Sequence, residues 1–270
     1  MAVELDRPGA VEALYLERDE PTEPWRPLMT GDVFAGPQVP GCAGHELVMV
    51  LAHPCSLRRG VTLVERVQAL PVGPHQAIPL DPWKGHYRVM PLPELRGEGG
   101  ESYAARLTEF GMVAQDELDL DRRLCCLTEL GVVLLQQRFF HNQSRVKVTR
   151  DRLFEASAPV FTEIELWTQW NEQLAEPRVQ AGEERAAVLA DEAQEFDGLM
   201  CSEHPEAPDL RAALNVTRLR SDVRRRVLAA ADARAEPDHD LSLNRIVATN
   251  TPTARPPRGA QFHDRRWDLT

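Results

Sequence analysis

Six consecutive apolar residues, Leu47-Val48-Met49-Val50-Leu51-Ala52, constrain this chain more than any other feature. A half-exposed strand alternates apolar and polar residues, whereas an unbroken β-prone run of this length needs cover on both faces. The run ends at Pro54, and Arg58-Arg59-Gly60 supplies a turn. Val61–Leu70 reads as a second strand, with Val61, Leu63 and Val67 on one side and Arg66 and Gln68 on the other. Ile78–Leu80 and Tyr87–Met90 read as short strands between prolines that suit sheet edges. Gly31-Asp32-Val33-Phe34 opens the core, and Val11–Leu16 reads as a short strand or helical turn. Residues 30–92 thus predict a small, mostly antiparallel, curled sheet or barrel.

Beyond Gly97–Gly100 the apolar period changes. Tyr103–Phe110 reads as helical, and Asp121–Ser144 as a buried helix carrying Leu124, Leu127, Leu130, Val133, Leu134 and Phe140, with Gly131 as a weak point. Val146-Lys147-Val148 reads as a strand returning to the sheet. Phe161–Leu174 is amphipathic, with Ile164, Leu166, Trp167, Trp170 and Leu174 on its apolar side. Leu210–Ala235 reads as a helix whose polar face is rich in arginine. The expected class is α+β, a curled sheet or barrel followed by a helical region packed against it. Its expected divisions are an N-terminal extension (1–29), a barrel-like core with packed helices (30–170), an acidic segment with the arginine-rich helix (171–235) and a disordered tail (236–270).

Composition narrows the function classes. The net charge of −11 argues against broad nucleic-acid binding, which needs many phosphate-neutralising cations. No apolar stretch approaches the roughly 20 residues of a membrane span. The first residues carry Glu4, Asp6 and Arg7 and no long apolar run, so a secretory leader is not expected. Five cysteines without paired spacing (Cys42, Cys55, Cys125, Cys126 and Cys201) then read as reduced thiols, and the expected compartment is the cytoplasm. Only Lys84 and Lys147 are lysines among 31 basic residues, a skew attributed to a GC-rich genome.

Candidate chemistry is sparse. Cys42, His45, His53 and Cys55 supply the ligand types of a zinc site, but the strand between the two pairs separates them by about 23 Å. No metal and no cofactor are expected. His53-Pro54-Cys55-Ser56 follows the buried run, and on an extended chain His53 and Cys55 face the same way, as a Cys–His nucleophile pair requires. Gln137, His141 and Arg145 lie at i, i+4 and i+8, a polar stripe suited to binding an anionic group or lining a pocket next to the sheet. Such a stripe is more often a solvated or domain-facing surface. Cys125 and Cys126, if helical, point about 100° apart and suit packing. His53, Cys55 and His141 are the catalytic candidates. Arg58, Gln137, Arg145, Arg220 and Arg224 are the binding candidates. The arginine-rich helix can meet phosphates, yet the eleven acidic residues between Asn171 and Asp209 are an equally available partner, within the chain or in a neighbour.

Gly31-Asp32-Val33-Phe34, the Gly/Pro loop after it, the Val48–Leu51 strand and the Val61–Val72 strand together resemble the opening of the PemK/MazF family over roughly residues 30–90. The resemblance implies a small SH3-like barrel. Many members are ribonuclease toxins with an Arg-Pro pair entering the second strand. Here that position reads Glu46-Leu47, so their catalytic arginine has no counterpart. His53-Pro54-Cys55-Ser56-Leu57 is also similar to a Cys-Asp-Leu ending in some uncharacterised bacterial proteins, with Ser56 in place of the aspartate. Two readings follow. One is a non-enzymatic interaction protein, a subunit or accessory of a bacterial multi-protein system of the defence or toxin–antitoxin type, with protein partners or self-association. The other is a nuclease or hydrolase gathered around His53, Cys55, Arg58 and His141.

Overall fold

The run from Leu47 becomes the centre of the sheet, and its two faces go to two different cores. Leu47, Met49 and Leu51 enter one; Val48, Val50 and Ala52 enter the other. Full burial of such side chains stabilises by about 1.5–3 kcal/mol each, which is why this segment organises the rest. The computed structural model describes residues 4–18, 22, 24–201 and 209–235. The tail expected to be disordered, with Trp267, lies outside the described residues, as does 202–208 of the acidic segment.

The strands are β1 (Tyr15–Arg18), β2 (Val33–Ala35), β3 (Leu47–Val50), β4 (Arg58–Arg59), β5 (Thr62–Leu63), β6 (Arg66–Pro74), β7 (Val89–Leu92), β8 (Tyr103–Arg106), β9 (Gly111–Ala114) and β10 (Arg123–Leu127). They form an antiparallel sheet in the order β1-β10-β2-β3-β6-β8-β7, with β9 also paired to β6 and the β4–β5 hairpin separate. The sheet curls into a half-barrel, as the α+β reading expected. The helices are α1 (Glu129–Ser144), α2 (Arg150–Gln180), α3 (Arg185–Met200), α4 (Leu210–Leu214) and α5 (Arg220–Ala235). No helix among the described residues is long and apolar enough to cross a membrane.

α1 lies on one face of the sheet through Val132, Leu134 and Leu135. Thr128 starts it, its Oγ1 accepting from Gly131 N–H at 3.1 Å and donating to Ala13 O at 2.7 Å. Gly131 does not break the helix. It sits in the first turn, where a Cβ would stand 2.6 Å from Leu14 O, so only glycine lets α1 approach the segment leading into β1. The other helices share a second core of Trp167, Trp170, Phe196, Val223 and Val227, with Trp167 stacked on Phe196 at 5.7 Å.

Residues 24–32 join the layers. Met29 belongs to the helical core, and Asn171 Nδ2 donates to Trp25 O at 2.9 Å. Buried Asp32 receives Arg26 at 2.7 Å, Arg123 at 3.0 Å and Met29 N–H at 2.9 Å.

Several expectations are corrected. Tyr103–Phe110 is not helical: Tyr103, Ala104 and Ala105 are buried in β8 between β6 and β7, and pairing on both sides overrides alanine's helix propensity. Asp121–Ser144 is a strand and then a helix, so Leu124 and Leu127 belong to β10. Val146–Val148 is a connection, and the returning strand is β10. Ile78–Leu80 is a loop in which Ile78 O accepts from Trp83 Nε1. Val61–Leu70 divides into β5 and the start of β6. Gly97–Gly100 lies between β7 and β8, so the sheet runs on to Leu127 instead of ending there. Leu210–Ala235 breaks after Leu214, whose carbonyl is capped by Arg220 Nε at 2.9 Å.

Candidate functional site

Beyond β3 the chain turns at Pro54–Ser56, held down by Leu51 and Ala52 N–H groups that both donate to Gln68 O. The turn places His53 Nδ1 2.8 Å from Cys55 Sγ and 3.3 Å from Cys55 N. Because the main-chain N–H already points at Nδ1, that nitrogen accepts, and the thiol donates to it. Burial holds the imidazole below its ordinary pKa, so the neutral form is favoured.

His53 opens onto a cleft of about 480 Å³ between α1 and the exposed end of the sheet. Gln68 and Arg66 line it from β6, Met112 from β9, and Gln136, Phe139 and Phe140 from α1. The core between helix and sheet runs out here, because Gln68 and Gln136 stand where apolar residues would have continued it. Gln136 is 4% exposed, and neither its amide nitrogen nor its oxygen has a hydrogen-bond partner among the described residues. A buried amide left in this state costs about 1–3 kcal/mol. The rim is apolar and open: Phe110, Met112 and Phe140 are 44%, 42% and 40% exposed, and Phe110 packs edge-on against Phe139.

Two other clefts have similar volumes, and ion pairs already engage several of their charges. In one, of about 470 Å³, Lys84 pairs with Glu4 and Lys147 with Asp6. The other, of about 430 Å³, is lined by Glu17, Glu129, Glu165 and Glu172, and Glu165 is held by Arg224. Gln169, which lines the second of these, leaves only its amide oxygen unpaired, whereas Gln136 leaves both ends of its amide unpaired among the described residues.

The remaining candidates from the sequence disperse. Gln137 ties α1 to the N-terminal segment, donating to Asp6 Oδ2 and Val148 O and accepting from Asp6 N, all within 2.9 Å. His141 packs edge-on against Tyr87, and the Arg145 guanidinium lies over the same ring at 4.6 Å. Arg58 is buried over Trp167 at 5.0 Å and donates to Leu28 O. Arg220 caps α4, and Arg224 makes a two-pronged contact with Glu165 across α2.

Only His53, Cys55 and the helix bearing Gln137 and His141 come near one cleft, and the side chain that faces it is Gln136. The signal for it was one residue away: Val132, Gln136 and Phe140 follow an i, i+4, i+8 line, an amide interrupting an apolar stripe. Cys125 and Cys126 lie on a strand, not a helix, and both are buried. Burial raises both thiols, Cys126 to about 12, which leaves them unreactive at neutral pH. His45 Nε2 accepts from Val39 N–H at 3.1 Å. Among the described residues no His, Cys, Asp and Glu side chains gather in a metal-binding group.

No protein-family model, curated protein or solved structure matches the chain.

Proposed function

We propose that the protein acts by recognition, as a non-enzymatic subunit or accessory of a bacterial multi-protein system of the defence or toxin–antitoxin type. Its working surface is the cleft between α1, β6 and β9. The observation that carries this reading is Gln136, a fully desolvated amide with an unused donor and acceptor beneath an exposed apolar rim. Such a group weakens the free protein and is compensated when a ligand brings its own polar partners. The likeness of residues 30–90 to PemK/MazF barrels fits a related scaffold put to binding, since Glu46-Leu47 replaces the toxins' arginine.

The test is native purification of the full chain from its own cell, alongside Gln136→Leu and Phe140→Asp. A stoichiometric partner is expected on the wild type and lost from both variants, with the far-ultraviolet circular dichroism of all three unchanged. A wild-type protein that comes out bare and monomeric refutes the proposal.

The contact between His53 and Cys55 supports a second reading, thiol-dependent hydrolysis. In it a neutral imidazole at 2.8 Å takes the thiol proton as Cys55 attacks an acyl carbon. It gives the proton to the departing alcohol or amine as the acyl bond breaks, and then activates the water that hydrolyses the thioester. Against it, no carboxylate lines the cleft to orient His53, and Arg58 and His141 are committed elsewhere. The alkylation rate of Cys55 by iodoacetamide separates the readings: an equal rate in wild type and His53→Ala removes the hydrolase.

A further inference from the structure

We infer that the cleft's occupant is an extended, apolar segment of a partner polypeptide bearing a carboxylate, added as a strand along the open edge of β9. The inference rests on the recognition reading above and names what is recognised. β9 pairs with β6 alone, so its other edge meets no strand among the described residues. The register fixes what that edge offers. Gln115 N–H donates to Glu65 O at 3.0 Å, and in an antiparallel ladder bonded and non-bonded pairs alternate. Val113 therefore turns its main-chain groups towards β6, while Met112 and Ala114 turn theirs outward. Met112 O already accepts from Arg66 Nη2 at 3.0 Å. Ala114 O caps the turn at Gln115–Glu117, while Met112 N–H and Ala114 N–H face outward, at the two-residue spacing a new strand matches.

The edge also lacks the usual protection. β9 reads Gly-Met-Val-Ala, without the charge or proline that keeps edge strands from pairing. The other two edges have it: β7 carries Pro91, and β1 carries Glu17 and Arg18. A strand added here lies about 4.8 Å from β9. Its inward side chains then meet the apolar rim, and a polar one among them reaches the Gln136 amide on the facing helix. Charge selects the ligand further. In a chain of net charge −11, the described residues line this cleft with one cation, Arg66, and no carboxylate.

Displayed random linear peptides panned on the full chain, with the strongest binder labelled and titrated by fluorescence anisotropy, test this. Selected peptides are expected to alternate apolar residues and to carry Asp, Glu or a free C-terminus. Ala114→Pro removes one outward N–H at a backbone φ of −69°, which already suits proline, and should weaken binding about tenfold, near the value of one hydrogen bond. Independently of any variant, the peptide should slow hydrogen exchange at Met112 and Ala114. If Gln136→Leu weakens binding while Ala114→Pro and the exchange rates do not respond, strand addition is overturned and the recognition reading survives. If no peptide responds to either variant, both fail. A dimer of the full chain that Ala114→Pro dissolves would make the occupant a second copy and overturn the inference.

Discussion

Gln136→Leu should stabilise the protein. The amide is buried and has no partner among the described residues, so its removal recovers a desolvation penalty of about 1–3 kcal/mol. Leucine is close to glutamine in volume and meets Leu51 and Phe139, which already line the same space, so overpacking should be minor. For a chain of this size each kcal/mol raises the melting temperature by about 2–4 °C. The assay is guanidinium unfolding at neutral pH, read as a shift in midpoint at unchanged slope. Its neighbour supplies the control. Gln137 uses both ends of its amide, and Gln137→Leu strands Asp6 N–H and Val148 O, so it should destabilise by about 1–3 kcal/mol. Adjacent, identical residues are thus expected to give opposite signs. A Gln136→Leu protein destabilised by more than about 1 kcal/mol would show that the amide is satisfied in the free state, and the argument for a waiting ligand would fall.

Three further outcomes follow from the fold. Asp32→Asn removes the charge between Arg26 and Arg123 and should cost about 3–5 kcal/mol in denaturant unfolding, the penalty for buried cations that lose their partner; a loss below about 1 kcal/mol would contradict that role. Gly131→Ala sets a Cβ against Leu14 O and should destabilise by about 1–3 kcal/mol despite alanine's better helix propensity, so a gain in melting temperature would count against the close approach. Burial, with Arg106 adding to it, lowers the pKa of His45, so the unfolded chain binds the proton more tightly. Stability is then full above the unfolded value near 6.5 and falls as pH drops below it. His45→Gln should flatten that part of the stability–pH curve, and an unchanged slope would refute the assignment.

Legibility in the sequence followed how local each determinant was. The Leu47–Ala52 run declared its two-sided burial because continuous hydrophobicity is a local property. Tyr103–Arg106 did not declare itself a strand, since alanine and arginine there favour a helix and only flanking partners decide. β10 was hidden for a similar reason. Arg123–Leu127 and Glu129–Ser144 join into one apolar pattern, and the Thr128 cap that divides them is a single residue. The cleft was half legible. His53 and Cys55 were found because their types carry chemistry, whereas Gln136 becomes informative only once its burial and missing partners are known. Gln137 looked equivalent to it in sequence, yet the helix turns that side chain onto Asp6.

Arginine enrichment, read from the sequence as a genomic habit, has a structural use that sharpens the choice of site. Each of the three tyrosines and each described tryptophan has a guanidinium over its ring: Tyr15, Tyr87, Tyr103, Trp25, Trp83, Trp167 and Trp170 meet Arg18, Arg145, Arg96, Arg185, Arg138, Arg58 and Arg234. A planar, weakly hydrated guanidinium can be buried against an aromatic face where a compact ammonium keeps its water, so most of these arginines join one element to another, Arg18 and Tyr15 sharing a strand. Arg58 is the strongest case. Burial pushes its pKa down to about 10, it remains charged at neutral pH, and Leu28 O and the Trp167 ring are its contacts. Arg58→Lys should therefore destabilise by about 1–3 kcal/mol, whereas Arg224→Lys, at a more exposed pair with Glu165, should cost less than about 1 kcal/mol. Equal effects in denaturant unfolding would mean that charge alone matters at both places. Unequal effects would confirm that ring-facing arginines serve the architecture. Among the described residues Arg66 stacks on no ring and lines the cleft with Gln136, which fits the proposed selection by charge at that surface.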